Sequence, residues 1–224
     1  MSIKENIQKI KSEIPESVKL IAVSKTQTES AILEAYKSGH RYFGENKAQE
    51  LVSKYESLPK DIEWHFIGHL QTNKVKYIAP FVKLIHGVDS LKLLKEINKQ
   101  GVKSQRIIDC LLQFHIASEE AKFGFYKEEV FELLQNPDFK ELKNIQIVGV
   151  MGMATYTDDE NKIRNEFSDL RNSFKEIKEL IINSDSFIEI SMGMSADYKI
   201  AIEEGSTMIR LGSSIFGLRF TSVF

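Results

Sequence analysis

The chain has 224 residues, of which 42% are hydrophobic and 28% charged, with a formal net charge of −2. That composition fills a sizeable core and excludes disorder. Acids and bases are spread along the chain rather than gathered into blocks, so neither nucleic acid nor an anionic membrane is an expected partner.

At the start, MSIKENIQKIKSEIPES reads as an amphipathic helix: Ile3, Ile7, Ile10 and Ile14 recur at helical spacing, and Ser2 with Glu5 makes a capping box. Neither this segment nor a later one has the continuous apolar character of a leader or a membrane span. Beyond it, short apolar β-rich runs fall at 18–25, 41–46, 63–69, 81–89, 106–116, 145–153, 187–193 and 206–214. Helical patterns separate them. Ala48, Leu51, Val52 and Tyr55 form one, after an Asn46/Gln49 capping box, and residues 158–182 form the longest, behind a Thr157/Glu160 box.

Strands apolar on both faces, each followed by a helix, predict a parallel sheet covered on both sides. Eight such units make an α/β fold, a single (β/α)8 TIM barrel with an additional N-terminal helix, occupying residues 1–224 as one domain; an open doubly wound sheet is the alternative. The single cysteine, Cys110, lies in an apolar run, which leaves no intrachain disulfide and makes a reducing cytoplasm the expected location.

In such a barrel the chemistry gathers at the C-terminal ends of the strands. There the sequence places Ser24-Lys25-Thr26, Gly44-Glu45-Asn46, Gly68-His69, His115, Met151-Gly152-Met153, Ser191-Met192-Gly193 and Arg210-Leu211-Gly212-Ser213. Small residues and helix starts after the last two strands, with Ser195 as an N-cap, predict a phosphate site. Arg210 is flanked by apolar residues and needs a buried acceptor: either an ion pair with Glu189 or Asp109, or a ligand atom. Lys25, at the end of the first strand, is placed to form a Schiff base with an aldehyde. An aldehyde with a phosphate arm and a ring nitrogen satisfies all three features, and pyridoxal 5′-phosphate (PLP) is such a molecule. His65 and His69 lie on a strand, where i and i+4 are about 13 Å apart, so no metal site is expected. His86 and His115 are expected to line the barrel mouth.

The segments AVSKT, YFGENKAQEL, WHFIGHLQTNK, GVMGMAT and SMGMSADYKIAIEEGSTMIRLGSSIFG resemble, in order and spacing, the motifs of the pyridoxal phosphate homeostasis proteins, which share the alanine racemase N-terminal barrel. The resemblance implies PLP held as a Schiff base on Lys25, Arg210 facing the pyridine nitrogen, and Ser195, Gly212 and Ser213 holding the phosphate. It places Asn46, His69, Met151 and Ser191 around the cofactor. It also implies storage, buffering or delivery of PLP, with PLP-dependent apoenzymes as candidate recipients.

Robust catalytic turnover is not expected. An Arg opposite the ring nitrogen weakens the electron sink, and Lys25 has no acid/base counterpart on the other face. Phe224 follows about a dozen residues after the eighth strand, so the second domain of the racemases is not expected and a monomer is. A PLP-dependent amino-acid racemase or lyase, and a cofactor-free Schiff-base aldolase, are the rival readings.

Overall fold

Strands that are apolar on both faces need helices outside and side chains inside, and this chain supplies both. The computed structural model describes residues 2–118, 123–181 and 184–217. Its strands are β1 (Lys19–Val23), β2 (Tyr42–Glu45), β3 (Glu63–Phe66), β4 (Leu84–Val88), β5 (Ile108–Gln113), β6 (Ile145–Met151), β7 (Glu189–Ser191) and β8 (Met208–Leu211). Each pairs in parallel with the next, and β8 returns to β1 to close the barrel. All eight predicted runs are strands, but each is shorter than its apolar run, because the apolar residues continue into loops that pack without joining the ladder.

Helices cover the outside: α1 (Ile3–Glu13), α2 (Glu29–Lys37), α3 (Ala48–Ser57), α4 (Val75–Ile78), α5 (Leu91–Lys103), α6 (Lys127–Gln135), α7 (Pro137–Lys140), α8 (Glu160–Leu180), α9 (Tyr198–Glu203) and α10 (Ser213–Phe216). The α1 capping box is formed, with the Glu5 carboxylate accepting from the Ser2 N–H at 2.8 Å and the Ser2 hydroxyl accepting from the Glu5 N–H at 3.2 Å. Ile7 and Ile10 of α1 are buried, each worth about 1.5–3 kcal/mol on full burial. Asn6 donates to the Ile215 carbonyl at 2.8 Å, which ties α1 to α10.

Two predicted caps are corrected. α8 is capped by Asp159, whose carboxylate accepts from Asn161 and Lys162 N–H groups at 3.0 and 3.2 Å, while Thr157 only accepts from Asp159. A carboxylate also complements the helix dipole, which a hydroxyl does not. α3 starts after Lys47, in extended conformation and with no side-chain cap bond, so Asn46 does not cap it.

Outward residues such as Leu20, Ala22, Phe43 and Ile85 pack under the helices, while Leu84, Leu111, Met151 and Met208 form a separate small cluster. At Gly149 the neighbouring strand comes so close that a Cβ would sit 1.8 Å from the Glu189 carbonyl oxygen. Gly149→Ala is expected to push β6 off β7 and to destabilise the fold by about 1–3 kcal/mol or more, the range of overpacking, read as a lowered urea midpoint.

Candidate functional site

β1 delivers Lys25 to the C-terminal rim, and a buried charge network fixes the turn that carries it. The Ser24 N–H extends the ladder to the Gly44 carbonyl at 3.0 Å, and the Ser24 hydroxyl donates to Glu45 Oε1 at 2.6 Å. Lys54, reaching in from α3, donates to the Ser24 carbonyl at 2.8 Å, to Glu45 Oε1 at 2.8 Å and to Glu50 Oε1 at 2.6 Å. The Thr26 N–H donates to the same Glu50 oxygen at 2.6 Å. Thr26 has φ 65, a left-handed conformation that a β-branched residue adopts only under constraint. The two residues flanking Lys25 are therefore each held by this cluster, and Lys25 itself is half-buried between them. Burial pushes the Glu45 carboxyl up, against the opposing pull of Lys54 and Ser24.

Arg210 sits on β8 directly across from Ile21 of β1, with its backbone N–H bonded to the Gly193 carbonyl at 2.9 Å. Its guanidinium is buried and donates to the Ser191 hydroxyl at 2.5 Å and to the Gly152 carbonyl at 3.1 Å. The ion-pair alternative is overturned. Glu189 is engaged by Lys19 and Thr207, and among the described residues no carboxylate pairs with Arg210. Glu189 and Asp109 border the opposite, N-terminal mouth of the barrel. Burial lowers the Arg210 pKa to about 10, only partly offset by the charge of Asp197, so the group stays a cation at neutral pH.

The rim between β7 and β8 is shaped by glycine and by Asp197. Gly193 adopts φ 97, and a Cβ there would lie 2.6 Å from Ala201 Cβ, so the turn from β7 into α9 requires glycine. The Asp197 carboxylate accepts from the Met194 N–H at 2.5 Å, while burial pushes its pKa up. α9 begins at Tyr198, so Ser195 lies in the preceding turn and is not the helix cap predicted for it; Asp197 fastens the turn instead. After β8 the chain passes through Gly212 straight into α10, and the first-turn N–H groups of Ser213 and Ser214 have no acceptor within that helix.

Lys25, Ser191, Arg210, Gly212 and Ser213 are brought together on the three neighbouring strands β7, β8 and β1 or on the segments that follow them. Asn46 follows β2 and abuts Gly68, where a Cβ would lie 2.7 Å from the Asn46 carbonyl. Met151 is inside the barrel, packed with Leu84, Leu111 and Met208. His69 is further round the rim: it bonds Asp89 at 3.0 Å and stacks on Phe123 at 3.9 Å between ring centroids. His115 lies just past β5, half-buried, with the Tyr126 ring against it. His86 is not at the mouth. It lies mid-strand in β4, fully buried, with Nδ1 2.9 Å from the Ser191 hydroxyl and Nε2 2.8 Å from His65 Nδ1.

Sequence reading missed Glu45, Glu50 and Lys54 as the support of Lys25, and His65 and His86 as the support of Ser191. Glu50 and Lys54 carry one local signal, the i,i+4 acid–base spacing on a helix. The histidines carry none. Chemically, the rim combines a primary amine, a buried guanidinium with no carboxylate partner among the described residues, and backbone donors at a helix start, a set that fits an aldehyde with an aromatic nitrogen and a phosphate.

Residues 1–220 match the family model described as alanine racemase, N-terminal domain. A pyridoxal phosphate homeostasis protein from Aquifex aeolicus is 40% identical over 202 residues, which cover 90% of this chain and 87% of that protein. One from Homo sapiens is 38% identical over 212 residues, covering 90% of this chain and 76% of the human protein. The solved structure of PipY from Synechococcus elongatus with PLP bound superposes with a TM-score of 0.86 at 33% identity, over 96% of this chain and 100% of PipY. With a family model matched over nearly its whole length and relatives of this identity and coverage, the chain belongs to the alanine racemase N-terminal domain family and, within it, to the pyridoxal phosphate homeostasis proteins.

Proposed function

We propose that this protein binds pyridoxal 5′-phosphate at the C-terminal rim and serves its intracellular homeostasis by storing, buffering or delivering it. The observation that carries the reading is Arg210: a buried cation, hydrogen-bonded to Ser191 and Gly152 and lacking a carboxylate among the described residues, on the strand beside the one that leads to Lys25. The homeostasis names of the relatives and the PLP bound by PipY support the same reading.

The bound cofactor would supply an aldehyde for covalent attachment and a ring able to accept electrons from an amino-acid adduct. Lys25 is the amine assigned to that aldehyde. Arg210, a cation at neutral pH, would disfavour a proton on the ring nitrogen and so weaken the electron sink. Ser195, Gly212 and Ser213 are assigned to the phosphate, through hydroxyls and first-turn N–H groups. Asn46, Ser191, Met151 and His69 are assigned to its surroundings, His69 as the most peripheral because Asp89 and Phe123 already hold it. Residues 1–224 would act as one cofactor-binding unit, a cytoplasmic monomer that hands PLP to PLP-dependent apoenzymes.

Lys25→Ala tests the assignment. Borohydride treatment of the PLP-loaded wild type should fix a phosphopyridoxyl mass on the peptide containing Lys25, and the variant should show no such mass. Losing the covalent link should weaken PLP binding by roughly a hundredfold, or about 2.7 kcal/mol, while leaving phosphate-anchored binding measurable. Equal affinity in the two proteins would overturn the role of Lys25. Sustained exchange of solvent deuterium into the α-position of added amino acids would favour a racemase or lyase instead.

A further inference from the structure

The N-terminal mouth of the barrel, opposite the rim just described, is the feature the cofactor reading leaves unused. Bottom layers of such barrels are ordinarily filled by packed side chains. Here the mouth holds a cavity of about 400 Å³ bordered by Lys19, Glu63, His65, Lys83, Asp109 and Glu189, within the size range of small-ligand sites. Leu84, Val148 and Met208 supply its apolar wall.

Two of the five charged groups neutralise each other, since Lys19 pairs with Glu189, whose other oxygen accepts from the Thr207 hydroxyl. The other three, Glu63, Lys83 and Asp109, make no side-chain hydrogen bond or ion pair among the described residues, although the Lys83 charge acts on Asp109. Burial pushes the Asp109 carboxyl up, against the opposing pull of Lys83, Arg106 and Lys19. Two carboxylates and one ammonium around an apolar wall are the complement of a molecule with two ammonium groups and one carboxylate.

His65 connects that wall to the opposite rim. Arg210 can only donate, so the Ser191 oxygen accepts from it at 2.5 Å. The Ser191 hydroxyl also lies 2.9 Å from His86 Nδ1, and His86 Nε2 lies 2.8 Å from His65 Nδ1, two hydrogen bonds whose common direction is set by the His86 tautomer. Both imidazoles are buried and held neutral; with the His86 proton on Nε2, the His65 proton is on its own Nε2, for which the described residues offer no acceptor, in a side chain that borders the cavity. A carboxylate in the cavity selects that tautomer, and the file of hydrogen bonds connects one mouth of the barrel to the other.

We propose that the N-terminal mouth binds a small diamino carboxylate on a short aliphatic chain, and that its occupancy is felt at Arg210 through His65, His86 and Ser191. The ligand carboxylate accepts from His65 Nε2 and pairs with Lys83, its ammonium groups face Glu63 and Asp109, and its methylenes lie on Leu84 and Met208. No bond is made or broken. Occupancy needs no cofactor, and only its consequence at Arg210 rests on the function proposed above.

The test uses the cofactor-free full chain, with L-lysine as the probe and cadaverine and L-glutamate as controls. Calorimetry should show saturable L-lysine binding, at least roughly tenfold tighter than either control. Lys83→Met and Glu63→Gln, at exposed and half-buried positions compatible with the fold, should each weaken it by a similar factor. Titration with L-lysine should also shift the ¹⁵N resonances of the His86 imidazole and the Arg210 guanidinium in the wild type, but not in Lys83→Met. Absence of saturable binding, equal binding of L-glutamate, or insensitivity to both substitutions would overturn the site. Binding with unmoved His86 and Arg210 resonances would overturn the coupling. Because PLP is absent throughout, none of these failures bears on the cofactor role of Lys25.

Discussion

Acidification from about pH 6.5 to about pH 5 is expected to remove on the order of 5 kcal/mol of folding stability, because three buried histidines must stay neutral in the folded chain. Burial lowers His40 to about 4 and His65 to about 3, and holds His86 well below the usual imidazole value. For a base depressed in the folded state, the unfolded chain binds more protons between the two pKa values. Stability is therefore intact above the unfolded value, about 6.5, and is lost as the pH falls toward the folded values. Each histidine can contribute up to about 1.4 kcal/mol per pH unit in that window.

Glu45, Asp109 and Asp197, raised by burial, act in the opposite sense, so the net slope should fall short of the limit set by the histidines alone. Against a total stability of about 5–15 kcal/mol, the loss brings the chain close to unfolding. Urea midpoints at several pH values measure the slope. His40→Gln, which removes one titrating ring, should flatten it by about one proton, or 1.4 kcal/mol per pH unit. A midpoint flat from neutrality to about pH 5 would contradict the burial of all three.

Lys54→Met is expected to destabilise the fold by about 3–5 kcal/mol, since it leaves the Glu45 carboxylate buried without its cation. Lys54 and Glu45 are both buried, at 6% and 0% exposure, and Lys54 also bonds the Ser24 carbonyl and Glu50. The same substitution frees the Ser24-Lys25-Thr26 turn, so PLP retention should fall even where the chain remains folded. Adding Glu45→Gln removes the stranded charge and should recover part of the stability. PLP retention should not recover to the same degree, because the bond from residue 54 to the Ser24 carbonyl is still missing. Urea midpoints and PLP affinity, measured on the single and double variants, separate the two effects.

Much of the site could be read from the chain because its signals are local. Eight apolar runs separated by helical periodicity give the barrel, and the residues at the run ends give Lys25, Arg210, Gly212 and Ser213. Ser191 was read as lying at a strand end, and its partner, the Arg210 guanidinium, is 19 residues away in sequence. Caps were read less well, because several hydroxyls and carboxylates compete for the same orphan N–H groups within a few residues. Thr157 lost to Asp159, and Ser195 lost its capping position when α9 began at Tyr198.

By itself, then, the sequence determined that this chain forms a closed parallel barrel with an amine on one strand end and a buried guanidinium on another. Strand alternation and the burial cost of charge are properties of short segments. Only the tertiary structure decided what those groups touch: that Arg210 bonds Ser191 and not Glu189, that Lys54 holds the turn of Lys25, and that His86 meets a serine 105 residues away. Hydrogen bonds act over about 3 Å, and closure of the sheet is what brings such distant residues within that reach.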